Sequence, residues 1–390
     1  MEKKYDIFRA DIPKKFNETS ILLEHKERFL LSETHNDIPP YEILIHPTSL
    51  CNLNCEWCIG KNLTGETLIA KNKLSKGNNL YDLCKQIVSY EKTINIDGKN
   101  KIFKVNRVTF SGITGEPLMT GKKLLDSIDY LTKNNIEVGM FTNGLLIDEN
   151  NISVLSKMNY ILISIDAGTS RTYDFLKNGS KNSNNYQKLI CNIKKLIEYS
   201  RMHNAQLDVN VGFVINKYNY KEILDLSIKL KKIGVHYLRF KTDISSKMNI
   251  DKEIIDNIEN TLKYVKKNIC TDKFKIVEIH RVSHPNDKIR ISKKCYINKL
   301  IACVGSDCNL YACNYHPSIS GVTYGDFTNS SFESVWSNKI SNFNVCKKCP
   351  NVCDPFKTRS NNIMEFYSNL DLLNQKEFIK YIEENSRDEY

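Results

Sequence analysis

The sequence predicts an α/β fold with a parallel sheet, followed by a small cysteine-rich domain. Strand and helix patterns alternate from residue 41 to about residue 245, with apolar residues at three- and four-residue spacing between the strands. Seven of the 13 cysteines then fall between Cys295 and Cys353. Six strands separated by helices imply right-handed crossovers, which an open barrel and a doubly wound sheet both satisfy.

The elements follow in chain order. Residues 1–40 are predicted to form a helical extension that ends at Pro39-Pro40, a pair that breaks helices. Six segments have strand patterns: 41–46, 104–111, 136–141, 160–166, 206–215 and 235–240. Three segments between them have helical spacing: 80–90, 186–199 and 220–233.

The remainder of the chain divides into three parts. Residues 246–290 are predicted to be a bridging helix and strand. Residues 291–360 contain short strand pieces rich in Cys, Gly, Asn and Ser. They predict a small α+β domain that needs stabilising cross-links, such as a metal site, in addition to its core. Residues 361–390 return to a helical period and predict a C-terminal helix.

Composition excludes several classes of protein. No apolar run approaches the roughly 18 residues of a membrane span, and charges stand where a signal peptide is apolar. We therefore expect a cytoplasmic protein with no membrane partner. The net charge of +11 comes mostly from lysines scattered among asparagines, which indicates solvated helix faces and argues against a nucleic-acid partner.

The cysteines point to metal. Their number is odd and no export signal accompanies them, so a disulfide framework explains them poorly. Cys84, Cys191 and Cys270 lie in helical or strand contexts and are predicted to pack in the core.

Directly after the first strand come Cys51, Cys55 and Cys58, in the spacing C-x3-C-x2-C. Three thiolates on one loop can hold three corners of a [4Fe–4S] cube and leave one iron open to a ligand. A zinc ion or three buried thiols are the alternatives. Zinc would need a fourth ligand, and the nearest histidine, His46, lies on the strand and can equally face the core.

This loop, with Trp57 just before its last cysteine, resembles the signature loop of the radical S-adenosylmethionine (radical SAM) superfamily. Further segments resemble family motifs and occur in the family's order at the ends of successive strands: Thr114-Gly115-Glu116-Pro117, Thr142-Asn143-Gly144, Ser164-Ile165-Asp166-Ala167, Gly212–Asn216 and Leu238–Lys241. Thr114 departs from the family pattern, which has glycine there.

The resemblance implies a partial (β/α)6 barrel over 41–245 and a set of SAM-binding residues. Gly115, Glu116 and Pro117 would hold the methionine ammonium, and Ser164 and Asp166 would contact the ribose and the methionine carboxylate.

Two further positions complete this expected cofactor site. They are Asn143, at the end of the third strand, and Trp57, within the cysteine loop. Helix capping by Ser164 or Asp166 and a turn role for Asn143 stay open as alternatives.

The resemblance also implies the chemistry. An external one-electron reductant of the flavodoxin or ferredoxin type would reduce the cluster, and reductive cleavage of SAM would give a 5′-deoxyadenosyl radical that abstracts hydrogen from the substrate.

The C-terminal cysteines resemble those of the twitch and SPASM accessory domains of this superfamily. The single-cluster pattern matches Cys295, Cys313, Cys346 and Cys349, which implies one auxiliary [4Fe–4S] cluster. Two clusters or a structural zinc ion are the alternatives. Such a cluster would accept an electron from a substrate radical or would only staple the domain.

Arg239 and Lys241 alternate with apolar residues on the sixth strand, so they share one face. If that face lines the lumen, these two are candidate catalytic residues that bind or deprotonate a substrate; otherwise they are solvated edge residues.

The leading functional hypothesis is oxidation, dehydration or epimerisation of a small polar molecule (a sugar, an aminocyclitol or a nucleoside-like compound). A maturase acting on a ribosomally made peptide is the alternative, and a zinc-stapled binding module is the non-enzymatic one.

Overall fold

The computed structural model describes nine stretches of the chain: 19–55, 57–62, 72–113, 115–177, 183–243, 250–279, 293–314, 323–339 and 355–385. Several predicted features lie outside the described residues. These are residues 1–18 of the N-terminal extension, Thr114, and the cysteines Cys346, Cys349 and Cys353.

The six predicted strands form consecutive, parallel neighbours in one sheet, which confirms the α/β barrel-type fold. They are β1 (Glu42–Ile45), β4 (Arg107–Phe110), β5 (Glu137–Thr142), β6 (Tyr160–Ser164), β7 (Asp208–Ile215) and β8 (Tyr237–Thr242). The predicted bridging strand is β9 (Lys275–Glu278), which pairs in parallel with β8 and so extends this sheet.

Helices lie between and beyond the strands. In the barrel region they are α2 (Ile59–Asn62), α3 (Asn79–Ser89), α4 (Lys122–Lys133), α5 (Ile152–Leu155), α6 (Ser170–Leu176), α7 (Asn185–Met202), α8 (Ile223–Ile233) and α9 (Lys252–Asn268). At the two ends of the chain they are α1 (Thr19–Leu31), α10 (Phe332–Ser337), α11 (Pro355–Ser368) and α12 (Leu372–Asn385). No helix in the described stretches combines the length and the apolar character that crossing a membrane requires.

Side-chain alternation divides the sheet into two faces. On β8, Leu238 and Phe240 belong to the main core, which packs the sheet against the helices. Arg239 and Lys241 therefore point to the opposite face, the lumen. On β4, Val108 and Phe110 face the helices in the same way.

The sequence did not reveal the antiparallel hairpin formed by β2 (Glu91–Ile96) and β3 (Lys99–Lys104). Its turn is Asp97-Gly98, and both residues have positive φ angles (49° and 78°). This dipeptide favours a two-residue hairpin turn, so it was the sequence signal from which the hairpin could have been predicted.

The accessory strands continue the barrel sheet. They are β10 (Ile301–Val304), β11 (Asn309–Tyr311) and β12 (Thr323–Asp326), and β10 pairs in parallel with β1. The sheet order is therefore β12-β11-β10-β1-β4-β5-β6-β7-β8-β9.

Two expectations about single elements were wrong. The single helix predicted over 361–390 is two helices, α11 and α12, which pack with α1 around Phe29 and Phe378. Cys191 is exposed, because it lies on α7 away from the face that buries Leu189 and Ile193. Cys84 is buried in the core as predicted.

Candidate functional site

A cavity of about 350 Å³ opens at the carboxyl ends of the parallel strands, where folds of this type hold their ligands. Its wall brings together most of the predicted site residues, namely Cys51, Cys55, Trp57, Cys58, Gly115, Glu116, Asn143, Ser164, Asp166 and Lys241.

The cysteine loop leaves β1 and forms one end of this cavity. Cys51 is exposed, and Cys55 and Cys58 are partly buried. Burial raises the pKa of the Cys55 thiol. No three His, Cys, Asp or Glu side chains within the described ranges are grouped as ligands of a metal ion. Three thiols on the wall of one cavity are nevertheless a donor set that fits three corners of an iron–sulfur cube.

Trp57 fixes this loop to the end of α6. Its Nε1–H donates to the carbonyl oxygen of Leu176 at 2.9 Å. The Cys55 Sγ lies 3.9 Å from the carbonyl oxygen of Lys177, and the Lys177 Nζ lies 5.6 Å from the centre of the Trp57 ring. The loop and the α6 terminus therefore form one packed unit.

Two glycines allow the segment before Glu116 to pass close to other backbone. A Cβ on Gly115 would lie 2.3 Å from the carbonyl oxygen of Thr48, and one on Gly112 would lie 2.6 Å from that of Gly115. Gly112 is thus the residue whose backbone lies directly against the carbonyl group of Gly115. Pro117 starts the short 3₁₀ turn that follows Glu116.

The Glu116 carboxylate is buried and accepts three hydrogen bonds. Oε1 accepts from the Leu118 N–H (3.1 Å) and the Thr142 hydroxyl (2.6 Å), and Oε2 accepts from the Asn143 N–H (2.8 Å). Burial raises its pKa. Because a carboxylate can accept about four hydrogen bonds, Oε2 keeps one acceptor position for a cationic ligand.

Asn143 links the end of β5 to the cysteine loop. Its Nδ2 donates to Asn52 Oδ1 at 2.7 Å and lies 4.0 Å from Cys51 Sγ, and its Oδ1 accepts from the Leu145 N–H. The side chain therefore makes its own turn and also reaches the loop.

The Asp166 carboxylate is held by contacts with two other parts of the chain. Its Oδ2 pairs with the Lys177 ammonium at 2.5 Å, its Oδ1 accepts from the Val214 N–H of β7 at 2.8 Å, and its φ is positive (55°). Burial alone would lower the pKa of Lys177, but the neighbouring Asp166 carboxylate raises it. Ser164, two residues earlier, lines the cavity from the end of β6.

Two residues that the sequence did not single out also line the cavity. Lys177 provides a buried cation near the cysteine loop, and no local motif marks it. Asn314 reaches the cavity from the accessory segment, directly after Cys313. Lys241 lines the cavity, and Arg239 shares its lumen face two residues deeper on β8.

The accessory cysteines differ in burial. Cys295 and Cys313 are partly buried, and Cys313 Sγ donates to Asn314 Oδ1 at 3.2 Å. Cys303 and Cys308 are buried in the two core clusters, and burial raises the pKa of Cys308 to about 11. The two partly buried thiols are therefore the better placed to face a cluster.

No protein-family model matches the chain. It is 25% identical over 206 residues to a cysteine-type anaerobic sulfatase-maturating enzyme of Clostridium novyi (strain NT). It is 25% identical over 181 residues to an S-adenosylmethionine-dependent nucleotide dehydratase of Fibrobacter sp. (strain UWH6), and 23% identical over 214 residues to one of Pseudoalteromonas ulvae. These matches cover 51%, 46% and 53% of this chain and only 50%, 49% and 66% of the three relatives.

Two solved structures have the same fold. SuiB of Streptococcus suis bound to S-adenosylmethionine aligns with a TM-score of 0.55 and 16% identity over 82% of this chain and 69% of its own. Native anSMEcpe with bound AdoMet aligns with a TM-score of 0.54 and 16% identity over 88% of this chain and 100% of its own.

The partial parallel barrel and the three-cysteine loop at its mouth indicate an enzyme of the radical SAM type. The chain is similar in sequence and in fold to radical SAM enzymes, and this likeness includes the accessory region.

Proposed function

We propose that this chain reductively cleaves SAM and abstracts a hydrogen atom from a small polar substrate, a nucleotide or a sugar-like molecule. One observation carries the proposal: the thiols of Cys51, Cys55 and Cys58 line the same cavity as the buried charges of Glu116 and Lys177. A zwitterionic amino-acid group needs a carboxylate for its ammonium and a cation for its carboxylate, and this wall offers both.

The cofactors follow from this arrangement. Cys51, Cys55 and Cys58 hold a [4Fe–4S] cluster with one open iron, and SAM binds beside it. When bound and reduced by a flavodoxin- or ferredoxin-type partner, this pair supplies the radical that attacks an unactivated C–H bond.

The protein's own residues bind SAM and orient it. Glu116 Oε2 accepts a hydrogen bond from the methionine ammonium, because its remaining acceptor position is the one that Thr142, Asn143 and Leu118 leave open. Lys177 donates to the methionine carboxylate with a proton that Asp166 does not use. Ser164 offers its hydroxyl to the ribose.

The accessory region contributes one auxiliary [4Fe–4S] cluster, held by Cys295, Cys313, Cys346 and Cys349. The neighbour of Cys313, Asn314, lines the main cavity. This proximity supports a role in accepting an electron from the substrate side. A cluster with four thiolate ligands has no open iron, so we do not expect it to bind substrate.

Two curated relatives named nucleotide dehydratase support the small polar substrate. On the lumen wall, Lys241 and Arg239 provide cations for a polar or anionic substrate, and Lys241 lines the cavity itself. Peptide maturation is the second candidate, because the sulfatase-maturating relative matches a similar share of the chain.

The test is anaerobic reconstitution with iron and sulfide, followed by dithionite reduction in the presence of SAM. We expect 5′-deoxyadenosine, and its absence from the reconstituted wild-type protein would refute the proposal. Incubation with ribonucleotides and, separately, with cysteine-containing peptides then separates the two substrate classes, since only the true substrate should be converted and raise the rate of 5′-deoxyadenosine formation.

A further inference from the structure

The hydroxyl of Ser111 is a buried polar group that the SAM site leaves unused. Ser111 directly follows β4, is only 1% exposed, and lines the cavity. Its Oγ has no hydrogen-bond partner among the described residues. Since Val108 and Phe110 face the helices, alternation turns Ser111 toward the lumen.

Several other buried serines satisfy their hydroxyl groups within their own helices, whereas the Oγ of Ser200 on α7 has no partner among the described residues but does not line the cavity. Ser227 Oγ donates to the Ile223 carbonyl at 2.6 Å, and Ser127 Oγ donates to the Lys123 carbonyl at 2.8 Å. Burying a hydroxyl without a partner is unfavourable, and an alanine at the same place would avoid that cost. Ser111 differs from Ser200 in lining the cavity, so its unpaired hydroxyl indicates a partner that binds there.

The residues around Ser111 indicate the chemistry of this partner. Phe141 of β5 and Leu162 of β6 are register partners on adjacent strands, and both line the cavity. Together they form an apolar wall beside the Ser111 hydroxyl. An apolar wall with a hydroxyl at its edge suits a ring that packs by one face and presents its own hydroxyl groups at its rim.

We infer that Ser111 is a specificity-determining residue whose hydroxyl hydrogen-bonds a hydroxyl group of the substrate, and that the substrate carries a sugar or nucleoside ring packed on Phe141 and Leu162. This inference rests on the proposed function and deepens it. It places the substrate at the wall formed by β4, β5 and β6, within the cavity that the cysteine loop also lines.

The test compares Ser111→Ala with Ser111→Thr, which keeps a hydroxyl group, in SAM-loaded holoenzyme. The probes are UDP-glucose and the four ribonucleoside triphosphates, measured by calorimetry. For the probe that binds, we expect Ser111→Ala to weaken the affinity by about fivefold, as the loss of one hydrogen bond does. Ser111→Thr should retain most of the affinity.

Thermal unfolding of the unliganded variants gives an independent readout. Ser111→Ala should unfold at a temperature no lower than the wild type, because it removes an unpaired group. The control Ser227→Ala should unfold at a lower temperature, because it removes the bond to Ile223. A drop for Ser111→Ala as large as that for Ser227→Ala would show that the hydroxyl is paired within the fold and would overturn the inference.

Equal probe affinity in wild type and Ser111→Ala would mean that the hydroxyl pairs only with water, which also overturns it. If none of the probes binds the wild type, the ring-bearing substrate class is wrong. Failure of the proposed function is seen separately, as the absence of 5′-deoxyadenosine from the wild-type protein without any probe.

Discussion

The Asp166 carboxylate and the Lys177 ammonium lie 2.5 Å apart, and their side chains are only 5% and 6% exposed. This ion pair joins Asp166, two residues after β6, to the end of α6, where Trp57 and Cys55 also dock. The geometry of the cysteine loop therefore depends on a pair of charges that water does not screen.

Replacing Lys177 with Met should lower the free energy of unfolding by about 3–5 kcal/mol, because it leaves the Asp166 carboxylate buried and unpaired. Urea denaturation of the unloaded protein measures this. The matched control is Lys157→Met, since Lys157 pairs with Asp129 at a site where the side chains are 47% and 26% exposed. That change should cost only about 0–1 kcal/mol.

The difference in free energy of unfolding between wild type and the double variant Asp166→Asn, Lys177→Met, which leaves no unpaired carboxylate, should be constant with pH over the neutral range. The folded-state pKa of Lys177 is raised above its ordinary value of 10.5, so its stabilising contribution is fully present below that pH and disappears only above it. A contribution that already falls between pH 6 and pH 9 would contradict the assigned pairing.

Replacing Cys51, Cys55 and Cys58 together with Ala should remove about four iron ions per chain and abolish 5′-deoxyadenosine formation. Iron analysis and chromatography after anaerobic reconstitution give both values. The control is Cys191→Ala, because Cys191 is exposed on α7 and should leave the iron content unchanged. Persistent SAM cleavage in the triple variant would refute the assignment of this loop.

Replacing Cys295 and Cys313 with Ala should lower the iron content by a similar amount while SAM still binds, because the auxiliary cluster is separate from the SAM site. Mössbauer spectroscopy counts the remaining clusters. Cys308→Ala is the control, since that thiol is buried in the core and should retain all iron. Equal iron in the double variant and the control would rule out both cysteines as ligands.

Glu116→Gln should weaken SAM binding by about 10- to 100-fold, since it removes the negative charge opposite the ammonium. The pH dependence of SAM affinity tests whether the weakening comes from the lost charge of Glu116. Burial raises the pKa of Glu116 above its ordinary value of 4.5, so wild-type affinity should fall on acidification, beginning above pH 4.5, as the carboxylate is protonated.

Calorimetric titration of anaerobic holoenzyme at several pH values measures this affinity. Glu116→Gln should show a flat profile over the same range, and the exposed control Glu149→Gln should behave like the wild type. Parallel profiles in wild type and Glu116→Gln would mean that another group controls SAM affinity.

Gly139→Ala should destabilise the fold by about 1–3 kcal/mol or more, because the new Cβ would lie 2.1 Å from the Tyr160 ring. Gly212→Ala, on a nearby strand of the same sheet, is the control. Its nearest neighbour would be the Leu162 side chain at 3.5 Å, an ordinary contact. Denaturant unfolding of the two variants should therefore give clearly different midpoints, and equal midpoints would contradict the close packing of Tyr160 against β5.

Sequence reasoning found the features that periodicity and motifs encode. The six parallel strands follow from alternating patterns. Glu116 and the cysteine loop follow from local motifs, because their spacing along the chain is also their spacing in the site. These features line one cavity in the structure.

Features that depend on distant contacts were not predictable in this way. Lys177 becomes a site residue only because α6 folds back on the cysteine loop, and Asn314 only because the accessory segment reaches the cavity. Gly112 was missed because the motif was aligned on Thr114, whereas the close approach is made two residues earlier. The Asp97-Gly98 hairpin turn was a local signal that went unused.

The parallel ladder between β1 and β10 restricts how this molecule can move. Ile43 and Leu44 are in register with Ala302 and Cys303. Backbone hydrogen bonds therefore attach the accessory segment to the strand that leads into the cysteine loop. A hinge rotation of that segment would have to break this ladder. Entry of reactants and exit of products must therefore rely on rearranging loops around a stiff frame, and the separation between Ile45 and Val304 should stay nearly constant through each turnover.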